Sequence, residues 1–271
     1  MRLGWVTDLH LNFVRPHDRS EFYAALREQR LDALLLGGDI GEADSATFFL
    51  SEIEDALRLP IYFVLGNHDF YRGSIRAVRA AAANLSGRLH WLPASGVVEL
   101  TADTALVGHD SWADGRVGDF FRSEVMLNDY VLIEELRTQD KQQRYEKLNA
   151  LGDEAADFLD ARVREALARS KNIVVLTHVP PFREACWHEG RISDSDYVPH
   201  FACKAVGDRL VAIMRDHPDC KMTVLCGHTH SSGEAHILDN LVVLTGGAQY
   251  GKPALQQVMD CLLYTSDAAD E

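Results

Sequence analysis

The sequence predicts an α/β fold built largely on parallel strands. Three observations carry this. Short apolar, β-branched runs recur along the chain and end in Gly, Asp, Asn or His. In the first third these runs alternate with helical segments in a β-α-β-α-β rhythm, which calls for parallel strands joined by right-handed crossovers. Runs of the same type return at 172–178 and 222–230.

Taken in order, LGWVT (3–7) reads as a buried strand. SEFYAALREQR (20–30) reads as a helix, with Ser20 as its N-cap and Phe22, Tyr23 and Leu26 on its apolar side. DALLLGGD (32–39) is a second strand running into a glycine turn, and residues 45–58 form a second helix that starts at Ser45. PIYFVLGNHD (60–69) is a third strand and turn, followed by an Ala-rich helix over 73–84. The runs RLHWL, VVEL and TALVGHD within 88–110 are short and suit antiparallel pairing. Residues 111–170 are charged, with long helical stretches. NIVVLTH (172–178) is again a buried strand, 182–205 is a loop rich in Trp, His, Tyr and Arg, and 206–217 is a helix. MTVLCGHTH (222–230), EAHIL and LVVLTGG close the pattern as strands.

The chain has 271 residues, and 46% of them are hydrophobic, enough for one large core. A single domain is expected over residues 1–260. The last eleven residues, CLLYTSDAADE (261–271), read as the translation of a transposon-type sequencing adapter and are expected to be non-native. The formal charge of −14 argues against a broad nucleic-acid surface, which needs clustered Lys and Arg. It leaves room for a small phosphorylated substrate, because bound divalent cations dominate their local field. No apolar stretch approaches a membrane span. Met1 is followed almost at once by a strand, which leaves no room for a signal peptide, and a cytoplasmic location is expected. The five cysteines form no CxxC pair and read as reduced thiols. Oligomeric state has no signature in the sequence.

Seven metal-ligating residue types sit where strands run into loops: Asp8 and His10 (TDLH), Asp39 (GGDI), Asn67 (GNHD), His178 (LTHVPP), and His228 with His230 (CGHTH). In open α/β sheets, ligands bind outside the carboxyl ends of strands, which is where Asp8, Asp39, Asn67, His178 and His228 fall. Two carboxylates, four imidazoles and one amide oxygen are enough to hold two divalent metals. A metal pair about 4 Å apart is a device for in-line displacement at phosphorus. Singly, each residue has an ordinary reading: an Asp after a strand caps or turns, and a lone His packs in a core. The ordered set is what points to chemistry. His17, His90, His200, His217 and His236 carry no ligand signal and read as structural. His109 and Asp110 follow a strand near the expected cleft and are weaker candidates for a substrate contact.

The series DLH, GD, GNHD, a His behind a strand and GHTH resembles the calcineurin-like metallophosphoesterase superfamily, in the form of its bacterial small-substrate members. The likeness covers most of residues 1–250. It implies a four-layer αββα sandwich of two mixed sheets flanked by helices, with a partly helical cap. It implies that Asp8, His10 and His230 ligate one metal, that Asn67, His178 and His228 ligate the other, and that Asp39 bridges both. The cofactors would be two divalent ions, with Mn, Fe, Zn, Co or Ni all compatible with oxygen and imidazole donors. His68 would be the non-metal catalyst, facing the leaving oxygen or the transferring phosphoryl group. Asp69 would orient the His68 ring, or else cap the helix that follows.

The implied activity is hydrolysis of a P–O bond by a hydroxide held between the metals, with a small-molecule phosphodiesterase as the preferred subclass. Alternatives are a phosphomonoesterase, a nucleotide or pyrophosphate hydrolase, and a non-catalytic metal-binding scaffold on the same fold. GDIGEAD lacks the DRG extension of protein serine/threonine phosphatases. A lipid-sugar pyrophosphatase would need an apolar acyl groove, and the helices over 124–170 are charged. Segments 111–150 and 182–205 are the candidate lid. Their Trp112, Arg116, Arg122, Arg183, Trp187, His188 and Arg191 are of types that stack on rings or hold phosphate oxygens, although most read singly as packing or surface residues.

Overall fold

The computed structural model describes residues 1–260, so the tail expected to be adapter-derived lies outside the described residues. Among the described residues thirteen strands are formed: β1 Arg2–Val6, β2 Ala33–Leu36, β3 Ile61–Phe63, β4 Leu89–Trp91, β5 Val98–Thr101, β6 Thr104–His109, β7 Asn172–Thr177, β8 Trp187–His188, β9 Arg191–Ile192, β10 Lys221–Cys226, β11 Gly233–Leu238, β12 Leu241–Thr245 and β13 Leu255–Asp260. The α-helices are α1 Pro16–Glu28, α2 Ala46–Leu57, α3 Ile75–Ala83, α4 Leu92–Ser95, α5 Asp129–Leu132, α6 Lys141–Leu167 and α7 Lys204–Asp216.

Two large sheets form. One has the order β13-β1-β2-β3-β4, the other β11-β12-β10-β7-β6-β5. In the first, β1 to β4 are parallel and β13 adds antiparallel to β1. In the second, β12, β10, β7 and β6 are parallel and the edges β11 and β5 are antiparallel. Both sheets are therefore mixed.

Strand residues alternate between two faces, and this separates the cores. Leu3, Trp5, Ala33 and Leu35 of the first sheet meet Leu106, Leu176 and Leu225 of the second in one buried cluster between the sheets. Leu34, Leu36, Ile61 and Phe63 point the other way, against Leu26, Phe49, Leu50, Ile53 and Val78 of α1, α2 and α3. On the far side, Val107, Val175 and Val224 pack on Leu159, Val163, Leu210 and Ile213 of α6 and α7. The layers run helix, sheet, sheet, helix, as the motif series implied.

Several boundaries differ from the pattern in the sequence. The first helix starts at Pro16, one turn before Ser20, because a proline at the first helical position is preset for the helix and its missing N–H costs nothing there. Ser20 sits inside the helix and bonds the Pro16 carbonyl instead of capping. In α3, Ser74 is a true cap, its Oγ accepting from Ala77 N at 3.1 Å. Strand β13 and the small β8-β9 hairpin fall where no strand was expected. The six residues of β13, LQQVMD, lack clean apolar alternation, and only an open edge beside β1 recruits them. No helix among the described residues is long and apolar enough to cross a membrane.

Candidate metal centre

Parallel pairing within each sheet sends every relevant loop to one edge. Asp8 and His10 follow β1, Asp39 follows β2, Asn67 follows β3, His178 follows β7, and His228 and His230 follow β10. The two halves are then stitched together. Asp8 N donates to Gly38 O and His10 N to Asp39 O within the first sheet's loops, and Gly227 N donates to His178 O within the second's. Across the sheets, His228 N donates to the Asp8 carboxylate at 3.0 Å.

Five of these residues sit in the left-handed backbone region: φ is 51° at Asp8, 44° at His10, 52° at Asp39, 70° at His228 and 62° at His230. Non-glycine residues take this conformation at a cost of about 1 kcal/mol or more each. Five in one cluster mean that the loops hold side chains in place against local preference. The turns also need room. A Cβ on Gly66 would lie 2.1 Å from Asp39 Oδ1 and 2.5 Å from Asp39 N. Gly66→Ala is therefore expected to destabilise the fold by about 1–3 kcal/mol, read as a lowered thermal midpoint. An unchanged midpoint would mean that the Asp39 turn shifts freely.

The side chains converge as two linked groups. Ligating atoms of Asp8, His10, Asp39 and His230 all lie within 4.8 Å of one another. His10 Nε2 and His230 Nε2 are 3.1 Å apart, and His230 Nε2 is 3.4 Å from Asp8 Oδ1. In the second group, Asn67 Oδ1 lies 3.0 Å from His178 Nε2 and 2.9 Å from His228 Nδ1. Asp39 stands between them, with Oδ1 3.4 Å from His178 Nε2 and Oδ2 3.6 Å from His10 Nε2.

The donor chemistry fits cations. His178 Nδ1 lies 2.9 Å from Gly37 O, and His228 Nε2 lies 3.1 Å from His200 O. A carbonyl only accepts, so each ring places its N–H there and turns a lone pair inward. Burial pushes the His228 imidazole down to about 3, which keeps it neutral. Two imidazole lone pairs and the Asn67 amide oxygen thus face one another with no proton to share. An ion with ligands about 2.0–2.2 Å away would have neighbouring donors roughly 3 Å apart, which matches these separations.

The remaining electrostatics agree. Burial, then the charges of Asp8 and Asp69, hold the Asp39 carboxyl well above the usual carboxylate range. Burial raises Asp8 too, but the His230 hydrogen bond and the surrounding imidazoles outweigh it and leave Asp8 below the ordinary value. Burial pushes His10 down to about 3, so its approach to Asp39 is not an ion pair.

A cavity of about 180 Å³ opens beside this centre, lined by Asp39, Asn67, His68, Tyr71, Leu127, Asn128, Asp129, Phe201, His228, His230 and Tyr250. The His68 ring faces it, stacked on Tyr71 at 4.2 Å between centroids and edge-on to His10 at 4.5 Å. Asp69 is not the partner of that ring. Its Oδ1 accepts from Ile40 N and Gly41 N, and its Oδ2 from Gly66 N, all at 2.8–2.9 Å. Fully buried, it spends both oxygens on tying the Asp39 and Asn67 loops together.

The side chains singled out in the lid segments do not line the cavity. Trp112 is buried in the helical-face core. Arg116 pairs with Asp153 and Asp114. Trp187 lies against Gly233. From those segments Leu127, Asn128, Asp129 and Phe201 reach the cavity instead. His109 and Asp110 are also structural: the His109 ring packs on Phe158, and Asp110 holds Leu65 N, Trp91 Nε1 and Arg79. A larger groove of about 650 Å³, between α3 and α6, is lined by Ile75, Arg79, Leu136, Leu151 and others, but by none of the converging donors. The converging donors border the smaller cavity.

Sequence reasoning missed Asp129, whose Oδ1 accepts from Asn67 Nδ2 and from Tyr71 OH, both at 2.8 Å. It also treated His200 as merely structural, yet the His200 carbonyl orients His228. Neither has a sequence signal, since NDYVL and VPHF look like any cap segment.

A model of the calcineurin-like phosphoesterase family matches residues 1–232. The chain is 35% identical over 117 residues to UDP-2,3-diacylglucosamine hydrolase of Stenotrophomonas maltophilia, a match covering 39% of this chain and 44% of that protein. It is 38% identical over 91 residues to the protein of the same name from Shewanella piezotolerans, covering 30% and 38%. The chain thus matches less than half the length of these relatives. In structure it is similar to phosphopantetheinyl hydrolase from Mycobacterium tuberculosis, with a TM-score of 0.61 and 14% identity over 92% of this chain and 90% of that one. It is also similar to a dimetal phosphatase from Danio rerio, with a TM-score of 0.58 and 15% identity over 91% and 87%. At such identities the structural likeness speaks for the fold, and it is the family match along most of the length that places this chain in the calcineurin-like phosphoesterase family.

Proposed function

We propose that this protein hydrolyses small phosphodiesters with the help of two divalent cations. Asp8, His10 and His230 would hold one, Asn67, His178 and His228 the other, and Asp39 both. When bound, such cations supply Lewis acidity toward a phosphoryl oxygen and make water available as a nucleophile at neutral pH. The chain's own residues do the rest. Asp39 stands between the two positions, where bound cations would favour its charged form, and takes His68 N as a donor at 2.8 Å. The His68 ring faces the cavity as a hydrogen-bond donor for the oxygen that gains charge. Phe201, Tyr71 and Tyr250 supply ring faces around the substituent.

The observation that carries the diester reading is the cavity's lining. Among the described residues that line it, none is Lys or Arg. A monoester dianion would rely on the cations alone to balance its second charge, whereas a diester carries one charge per phosphorus. The volume of about 180 Å³ is small beside the 300 Å³ or more of typical ligand pockets, which supports a compact substrate. A second reading, cleavage of a pyrophosphate in a UDP-sugar, is favoured by the partial match to the UDP-2,3-diacylglucosamine hydrolases.

The test is hydrolysis of bis-p-nitrophenyl phosphate, p-nitrophenyl phosphate and UDP-2,3-diacylglucosamine by chelator-stripped protein reloaded with Mn²⁺. Diester turnover at least tenfold above monoester turnover, lost again with chelator, is expected. Preference for the monoester would overturn the subclass. Cleavage of the UDP-sugar alone would select the second reading. Bound Mn²⁺ without turnover of any of the three would point to a scaffold.

A further inference from the structure

The segment after β6 contributes one short helix, α5, whose first residue bonds a donor of the second group directly and whose second reaches another only through His200. Asp129 is 4% exposed, and its Oδ1 receives both Asn67 Nδ2 and Tyr71 OH at 2.8 Å. Tyr130, also 4% exposed, places its hydroxyl 2.5 Å from His200 Nδ1. The other face of that imidazole is fixed as well, with Nε2 2.9 Å from Ser123 Oγ, which itself donates to Asp196 O. So held, His200 presents its carbonyl to His228 Nε2 at 3.1 Å. The Arg144 guanidinium from α6 lies over the Tyr130 ring at 4.4 Å and keeps that ring in place.

The physical consequence concerns orientation. The two ends of an Asn amide are nearly the same shape, and only the hydrogen-bond surroundings decide which end points where. A carboxylate oxygen carries no hydrogen, so Asp129 Oδ1 is an acceptor for both Asn67 Nδ2 and Tyr71 OH. It turns Asn67 Nδ2 outward and Asn67 Oδ1 toward His178 and His228. The His200 carbonyl does the same for a ring, holding the N–H at Nε2 and turning the Nδ1 lone pair inward. Without these partners nothing would fix the amide oxygen or the imidazole lone pair toward the place where a cation belongs.

We propose that Asp129 and Tyr130 are positioning residues that make the Asn67–His178–His228 group selective for a cation, while leaving the Asp8–His10–His230 group largely untouched. This rests on the reading of both groups as cation sites. Partners one shell out from a metal typically matter by 10- to 100-fold in affinity.

The experiment is Mn²⁺ binding to the full chain by titration calorimetry, with electron paramagnetic resonance to follow coupling between the two ions. Wild type should bind two ions with a coupled spectrum. Asp129→Leu should weaken one site 10- to 100-fold, leave the other within about twofold, and convert the spectrum to that of an isolated ion. Asp129→Asn keeps an acceptor oxygen for Asn67 and should restore the second site. Tyr130→Phe removes one hydroxyl from a packed ring, so it tests the same site without threatening the fold, and a 3- to 10-fold weakening of that site is expected. Equal weakening of both sites, or failure of Asp129→Asn to restore the second, would mean that the cap only supports the fold and would overturn the proposal. Two unaltered sites in Asp129→Leu and Tyr130→Phe would also overturn it while leaving the metal-pair reading intact. Fewer than two ions bound by wild type would remove that reading, and this proposal with it.

Discussion

Asp39→Asn is expected to empty both cation positions at once. Its carboxylate faces both groups: its Oδ1 is 3.4 Å from His178 Nε2 and its Oδ2 3.6 Å from His10 Nε2. The substitution replaces one of these oxygens with an NH₂ that points hydrogens at a cation, and it removes a buried negative charge. Losing a partner one shell out costs about 10- to 100-fold in metal affinity, so losing a shared ligand should exceed 100-fold for each ion. Metal content after dialysis, measured by mass spectrometry, should fall from two ions per chain to near zero. Near-full content would rule out a bridging Asp39.

The metal-free proteins should show the opposite order. Burial and the Asp8 charge hold the Asp39 carboxyl above its unfolded value. A raised carboxyl costs nothing below the unfolded value of about 3.9 and destabilises progressively as pH climbs above it. Stripped Asp39→Asn should therefore melt higher than stripped wild type at neutral pH, with the difference closing near pH 4. A lower midpoint at neutral pH would show that the hydrogen bond from His68 N outweighs the charge.

His68→Ala is expected to keep both ions and lose turnover. What His68 gives the centre's framework is its backbone: the amide donates to Asp39 Oδ1 at 2.8 Å, and alanine retains that bond. What the substitution removes is the ring that lines the cavity beside Tyr71 and His10. A positioned acid–base or charge-stabilising group contributes about 10²- to 10⁴-fold. The kcat on bis-p-nitrophenyl phosphate should fall by that order while metal content stays at wild-type level. A fall of less than threefold would remove His68 from the chemistry.

The seven converging donors were legible because most are donor residues placed just after an apolar run. That is a local pattern, and parallel strands turn it into one edge. The layer order came with the likeness to the calcineurin-like superfamily, and the structure shows it in Leu34 and Leu36 facing the helices while Ala33 and Leu35 face the other sheet. The start of α1 was misread because apolar periodicity begins at Ser20, while the proline that nucleates the helix lies four residues earlier.

What the sequence by itself determined is the type of every donor and the strand end that carries it. Tertiary structure decided which way the donors point. Asp69 spends its carboxylate on three amides from two loops, Asp129 fixes one amide from across the cavity, and a backbone carbonyl at His200 fixes the His228 ring. Apart from the Gly66–Asp69 bond, which spans three residues, these bonds join partners 28 to 62 residues apart. No residue pattern encodes that distance, because a buried carboxylate that aims an amide has the same local sequence as one that faces water.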